Sequence, residues 1–156
     1  MNLRTYGIIL LALISFSACN KDKRLSNSLD NGVYRMENLK IDGQSENSYI
    51  SLEFSGCKIY TELCNGIWKD DNDGQAEFYW QINEKGKEFI LSNITSIEAI
   101  PPNYPQYLAV QECYNYSGTY SIIDKEKNNG KLILYLQSTT TKGFNGKVVE
   151  FTLKQQ

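Results

Sequence analysis

The chain has 156 residues, with 16 Lys and Arg against 18 Asp and Glu and no histidine at all. That length supports one domain with its own core, and its scattered cations exclude a nucleic-acid-binding face, which needs clustered Lys and Arg. The absence of histidine removes Ser-His-Asp and Cys-His nucleophile systems and most catalytic zinc and iron sites, so a non-enzymatic protein without metal or cofactor is expected.

Arg4 is the only charge ahead of the apolar run 7–17, which ends in the small residues Ser17 and Ala18. A basic start, a short apolar core and small residues at its end make residues 1–18 a secretory signal peptide. The run is shorter than the about 20 residues that a membrane-spanning helix needs, and Asn20 to Arg24 stops it. The junction Phe16-Ser17-Ala18-Cys19 resembles the lipobox of bacterial lipoproteins, with Phe16 where that motif most often has Leu. The resemblance implies cleavage before Cys19, which then carries thioether- and amide-linked acyl chains. Two or more chains hold a protein firmly on a membrane where one does not. Removing the first 18 of the 156 residues leaves 138. Residues 19–31 read as a lipidated flexible tether, polar and almost free of apolar side chains, and 32–154 as the folded domain.

From Gly32 onward the pattern is β. "GVYRMENLKI" (32–41) forms a first strand that turns at Asp42-Gly43, and "YISLEF" (49–54) alternates Ile50, Leu52 and Phe54 with polar neighbours, the period-2 signature of a half-buried strand. "CKIYTELC" (57–64) follows as a strand, with a hairpin signal at Asn65-Gly66. "IWK" (67–69), "QAEFYWQI" (75–82) and "KEFILS" (87–92) come next, separated by turns at 70–74 and 83–86. "QYLAVQECY" (106–114), "GTYSII" (118–123), "KLILYLQ" (131–137) and "KVVEFTL" (147–153) complete the set, with "DKEKNNG" (124–130) as a polar turn. Short strands joined in sequence by hairpin turns predict an all-β fold, an antiparallel up-and-down β-barrel of about 8–10 strands, whose closure also removes exposed edges.

Gly32 to Leu153 resembles the small lipocalin-like lipoproteins of Gram-negative bacteria, through "NGVYRMENLKIDG", "YISLEF", "CNGIWK", "YSGTYSIIDKEKNNGKLIL" and "GKVVEFTL". The lipocalin Gly-x-Trp falls on Gly32-Val33-Tyr34, with Tyr in place of Trp; a literal Gly-x-Trp occurs mid-chain at Gly66-Ile67-Trp68. The resemblance implies a lipocalin-like barrel anchored in the outer membrane through Cys19, on its periplasmic face or at the cell surface.

Cys57, Cys64 and Cys113 remain beyond the anchor. An oxidising envelope predicts one disulfide and one buried thiol, and their spacing fits no zinc site. If 57–64 is one strand, Cys57 and Cys64 stand about 20 Å apart at ~3.3 Å per residue, beyond the ~7 Å limit for a disulfide. Counting hairpins then pairs Cys64 with Cys113 at one rim of the barrel.

"DDNDG" (70–74) suggests calcium, but alignment to an EF-hand loop puts Lys69 and Trp80 where acidic ligands belong, so it reads as a turn. Trp68, Trp80 and Phe89 are candidates to line a ligand cavity, since an eight-stranded barrel is either filled by side chains or holds one small ligand; Tyr79 and Trp80 must face opposite sides. "IPPNYPQY" (100–107) is the long irregular connection, and its Tyr104 and Tyr107 form a candidate partner loop. Two functional readings stay open: a barrel that binds a small apolar molecule, and an interaction or inhibitor module that meets another envelope or host protein through its loops.

Overall fold

The structure, a computed structural model, describes residues 23–55, 57, 63–83 and 85–156. The signal peptide and Cys19 lie outside these residues, as does the interior of the expected strand 57–64. In chain order the elements are a helix α1 (described over 23–29), β1 (Val33–Ile41), β2 (Gln44–Ser45), β3 (Ser51–Ser55), β4 (Cys64–Lys69), β5 (Gln75–Asn83), β6 (Glu88–Asn93), a 3-10 turn (Ile97–Ala99), α2 (Gln106–Tyr116), β7 (Gly118–Asn128), β8 (Lys131–Thr141) and β9 (Val149–Gln155). Every sheet neighbour is antiparallel, the order runs β1-β3-β4-β5-β6-β7-β8-β9, and β9 pairs back onto β1. The result is a closed eight-stranded up-and-down barrel, with the two-residue β2 folded onto β1 as a flap. The expected lipocalin-like, all-β barrel is the architecture observed.

Period-2 alternation fills the barrel. Leu52 and Phe54 of β3, Phe78 and Trp80 of β5, Phe89 and Leu91 of β6 and Phe151 and Leu153 of β9 all point inward, and Tyr79 stands on the opposite face from Trp80. In β1 the alternation skips a beat. Asn38 adopts φ +54°, and the pairing with β9 shifts between Glu37 and Lys40. This bulge spends one extra residue and brings Leu39 into the core in place of Asn38.

Five expectations require correction. Residues 23–29 are helical, not part of a flexible tether. Leu25 and Leu29, one helical turn apart, are 5% and 0% exposed and belong to the main core, and Tyr34 donates its hydroxyl proton to the Ser28 carbonyl at 2.9 Å. The folded domain thus begins before residue 32. The segment 106–114 is helix α2, not a strand, and buries Ala109, Val110, Cys113 and Tyr116. Those positions form one helical stripe, which wins because the stripe meets β4, β5 and β6 at the barrel's end.

Asn65-Gly66 is not a hairpin tip but lies within β4, paired with β3 and β5. Gly66 is required there, because a Cβ would collide with the ring of Phe78 across the strand pair. The tip that does carry the Asn-Gly signature is Asn129-Gly130, both at positive φ (51° and 81°), since β7 and β8 run on through the stretch read as a polar turn.

The disulfide joins Cys57 to Cys64, with Cα atoms 4.7 Å apart, and not Cys64 to Cys113. The straight-strand assumption had kept Cys57 and Cys64 apart; once β4 begins only at Cys64, the two are free to meet. Cys113 is a buried free thiol on α2.

Candidate functional site

Trp68, Trp80 and Phe89 are all fully buried, each engaged with other rings. Phe54 is the hub: its ring centroid lies 5.3 Å from Tyr34, 5.7 Å from Phe78, 5.1 Å from Trp80 and 6.0 Å from Phe89, every pair edge-to-face. Such contacts add about 0.5–1.5 kcal/mol each beyond area burial. Phe89 continues the chain of rings to Tyr120, and Tyr120 to Phe151 at 5.0 Å. Trp80 donates its indole N–H to the Asn65 carbonyl at 2.8 Å. The candidate cavity residues therefore pack against one another and their neighbours as core.

Strand directions define two ends. The β5–β6 and β7–β8 turns share one end with α1; the β4–β5 turn and the β6–β7 crossover share the other with α2. At the α1 end, Leu25 and Leu29 join the core directly. At the α2 end, Tyr116 stacks on Trp68 at 5.4 Å and meets Phe144 edge-on at 4.9 Å. Ser117, fully buried, locks the helix down: its hydroxyl donates to the Cys113 carbonyl at 2.7 Å and accepts the Asn93 backbone N–H at 2.8 Å.

The α2 end also holds several perturbed groups. Burial pushes the Glu112 carboxyl above its usual range, the Asp70 and Asp71 carboxylates add to the shift, and the neighbouring Trp68 indole opposes it. Glu112 Oε2 and Trp68 Nε1 both lack a well-formed hydrogen bond. Burial also pushes the Cys113 thiol and the Tyr116 hydroxyl up to about 12, so neither ionises near neutral pH and the thiol is a poor nucleophile. The 70–74 turn is closed by Asp70, whose Oδ1 accepts the backbone N–H of Asn72 and of Gly74 at 2.9 and 2.7 Å. Among the described residues no cluster of acids and cysteines is arranged to hold a metal ion.

Around α2 lies exposed apolar surface. Tyr104 and Leu108 are each 55% exposed, and Tyr107 is half-buried. Tyr114 and Ile94 line a shallow groove of about 470 Å³ with Asn93, Ile97, Glu98 and Lys142. Lys142 sits 5.2 Å above the Tyr114 ring and donates to Asn93 Oδ1 at 3.0 Å. The sequence reading found Tyr104 and Tyr107 but missed Leu108, Tyr114 and Ile94. Pro105 at the head of a segment whose apolar residues fall at 109, 110, 113 and 116 was the signal that would have shown the helix and its outer face.

No protein-family profile, curated protein sequence or solved structure matches the chain.

Proposed function

We propose that this chain is a lipoprotein of the Gram-negative outer membrane, anchored through acyl chains on Cys19, whose solid barrel acts as a non-enzymatic interaction module. The single observation that carries this reading is the filled interior. A barrel that transports a small apolar molecule needs an internal space for it, whereas here Trp68, Trp80 and Phe89 are spent on packing and α1 and α2 each cover one end. The fold leaves apolar surface exposed at its α2 end, where Tyr104, Leu108, Ile94 and Tyr114 lie beside Glu98 and Lys142. Aromatic and apolar anchors within a polar rim are the composition of a protein-binding surface. The occupant is another envelope or host protein.

Two measurements on one protein separate this reading from ligand transport. The chain from residue 19 onward with Cys19→Ser is exported in soluble form, purified without detergent and weighed by native mass spectrometry. A bare mass, before and after exposure to a lipid extract, is expected; an added mass that disappears on denaturation would instead assign a ligand-holding barrel. In the intact lipoprotein, a photo-crosslinking side chain at Leu108 should give one discrete adduct in the cell envelope, while the same side chain at Asn128 should give none of that size.

A further inference from the structure

The end of the barrel covered by α1 carries an open groove of about 750 Å³. It arises because β7 parts from β6. Their pairing ends with Glu88 opposite Ser121, and a bulge between Ile122 and Asp124 carries the rest of β7 onward beside β8 alone. The β7–β8 ribbon is one wall; α1 and the 85–87 turn supply the other. Leu25, Ile122 and Leu132 give the groove an apolar floor, and Ile123, at the bulge, is 60% exposed on its lip.

Its charge differs from that of the whole chain. Among the described residues that line it, Arg24, Lys85, Lys87, Lys125 and Lys127 face only two acids, Asp124 and Glu126. Glu126 is already engaged by the Tyr135 hydroxyl at 2.7 Å. The ion pairs among the described residues, Lys69–Glu53 and Lys154–Glu37, lie elsewhere, so these five cations are not neutralised by a partner. At the opposite end, the stretches 42–50 and 70–74 contribute Asp42, Glu46, Asp70, Asp71 and Asp73, beside Lys40, Lys142 and Lys147. A chain of net charge −2 thus gathers unpaired positive charge around one mouth.

The position of Cys19 says what that mouth faces. Cys19 precedes Lys23, the first described residue of α1, by four residues, a reach of at most ~14 Å at ~3.6 Å per residue. That is close to the distance over which charges act at 0.1 M salt, about 10 Å. We propose that the groove is a second membrane contact, in which the headgroup phosphates of anionic phospholipids from the leaflet that holds the Cys19 acyl chains meet the cationic rim, while Ile123 reaches the acyl boundary. This rests on the lipoprotein reading of Cys19. It gives the anchored barrel a fixed orientation, with α2 and its exposed apolar surface turned away from the bilayer.

The test uses the Cys19→Ser chain from residue 19, which keeps every described residue, and sedimentation with vesicles of phosphatidylcholine alone or with one third phosphatidylglycerol. Binding to the anionic vesicles only, abolished in 1 M salt, is expected. Each Lys or Arg near an anionic surface is worth about a fivefold change in affinity, so Lys125→Gln with Lys127→Gln should weaken binding at least about tenfold. The exposed pair at the other end, Lys40→Gln with Lys147→Gln, should leave it unchanged. If the first pair fails to fold, Lys85→Gln with Lys87→Gln, from the opposite wall, carries the same expectation. No binding, equal binding to neutral vesicles, or equal loss from both ends would overturn the groove as a membrane contact. The mass of the N-terminal peptide from membrane-grown protein reads the anchor separately: an unacylated Cys19 overturns the lipoprotein reading, and with it the placement at the membrane, whatever the vesicles show.

Discussion

The two ends of the barrel are covered by helices built on opposite principles. α1, described over residues 23–29, closes its end with two leucines, the buried Ser26 and one tyrosine hydroxyl bond, and carries no buried acid among the described residues. α2 closes its end with Val110, Cys113 and Tyr116, but it also carries Glu112 beside Trp68 and depends on the buried hydroxyl of Ser117. An apolar plug is insensitive to pH and limited only by area. A plug with polar groups gains directional bonds, but whatever is left unpaired subtracts from its stability. The difference teaches that covering a barrel and tuning a cover are separate tasks, here given to separate helices.

The sharpest way to break this comparison is at Leu29. Leu29→Ala should cost about 2–5 kcal/mol, as for a fully buried leucine, read by denaturant unfolding of the soluble chain. A loss within about 0.5 kcal/mol, the ordinary range for exposed sites, would mean that residues 23–29 are a tether after all. Next comes the disulfide. Cys57→Ser should cost about 2–3 kcal/mol by the chain-entropy account for a loop this short, and peptide mapping of the oxidised protein should recover the 57–64 link with Cys113 unpaired. Cys113→Ala tests the opposite expectation: a buried small thiol lost from packing costs less, roughly 1 kcal/mol.

The smallest effect belongs to Glu112, and its sign follows from the raised carboxyl. A group whose folded pKa lies above its unfolded value contributes stability at pH values below the unfolded pKa, ordinarily about 4.3. That contribution is lost as pH rises through the folded value. Glu112→Gln removes the dependence. The variant should therefore gain on the parent between pH 4 and pH 7, by about a few tenths of a kcal/mol because solvent screens a half-exposed carboxylate. Thermal melts of both proteins across that range check it. A gain that shrinks toward pH 7 would mean that the carboxylate is stabilised in the folded protein, not penalised.

Much of the barrel was legible because a strand's pattern is local. Ile50, Leu52 and Phe54, or Phe78, Trp80 and Ile82, alternate with polar residues over a few positions, and the side on which each falls needs no knowledge of the rest of the chain. The turn at 70–74 likewise declares its conformation through Asp70, whereas the same Asn-Gly signature lies inside a strand at Asn65-Gly66 and at a tip at Asn129-Gly130. The candidate sites were less legible. Trp68, Trp80 and Phe89 were named correctly as inward-facing, but an inward-facing aromatic lines a cavity or fills it according to what stands opposite, and Phe54 and Tyr116 come from distant positions.

Read alone, the residues predicted an antiparallel up-and-down barrel and excluded histidine chemistry, because alternation, turn type and composition are properties of neighbours in the chain. Three matters waited for the tertiary structure. Residues 106–114 alternate weakly enough to pass for a strand, and the contacts of Ala109, Val110 and Cys113 at the barrel's end made them a helix. Leu25 and Leu29 are two leucines in a polar stretch until a barrel end lacks a cover. Cys64 chose Cys57 over Cys113 because a disulfide follows distance in space, and α2 had carried Cys113 into the core.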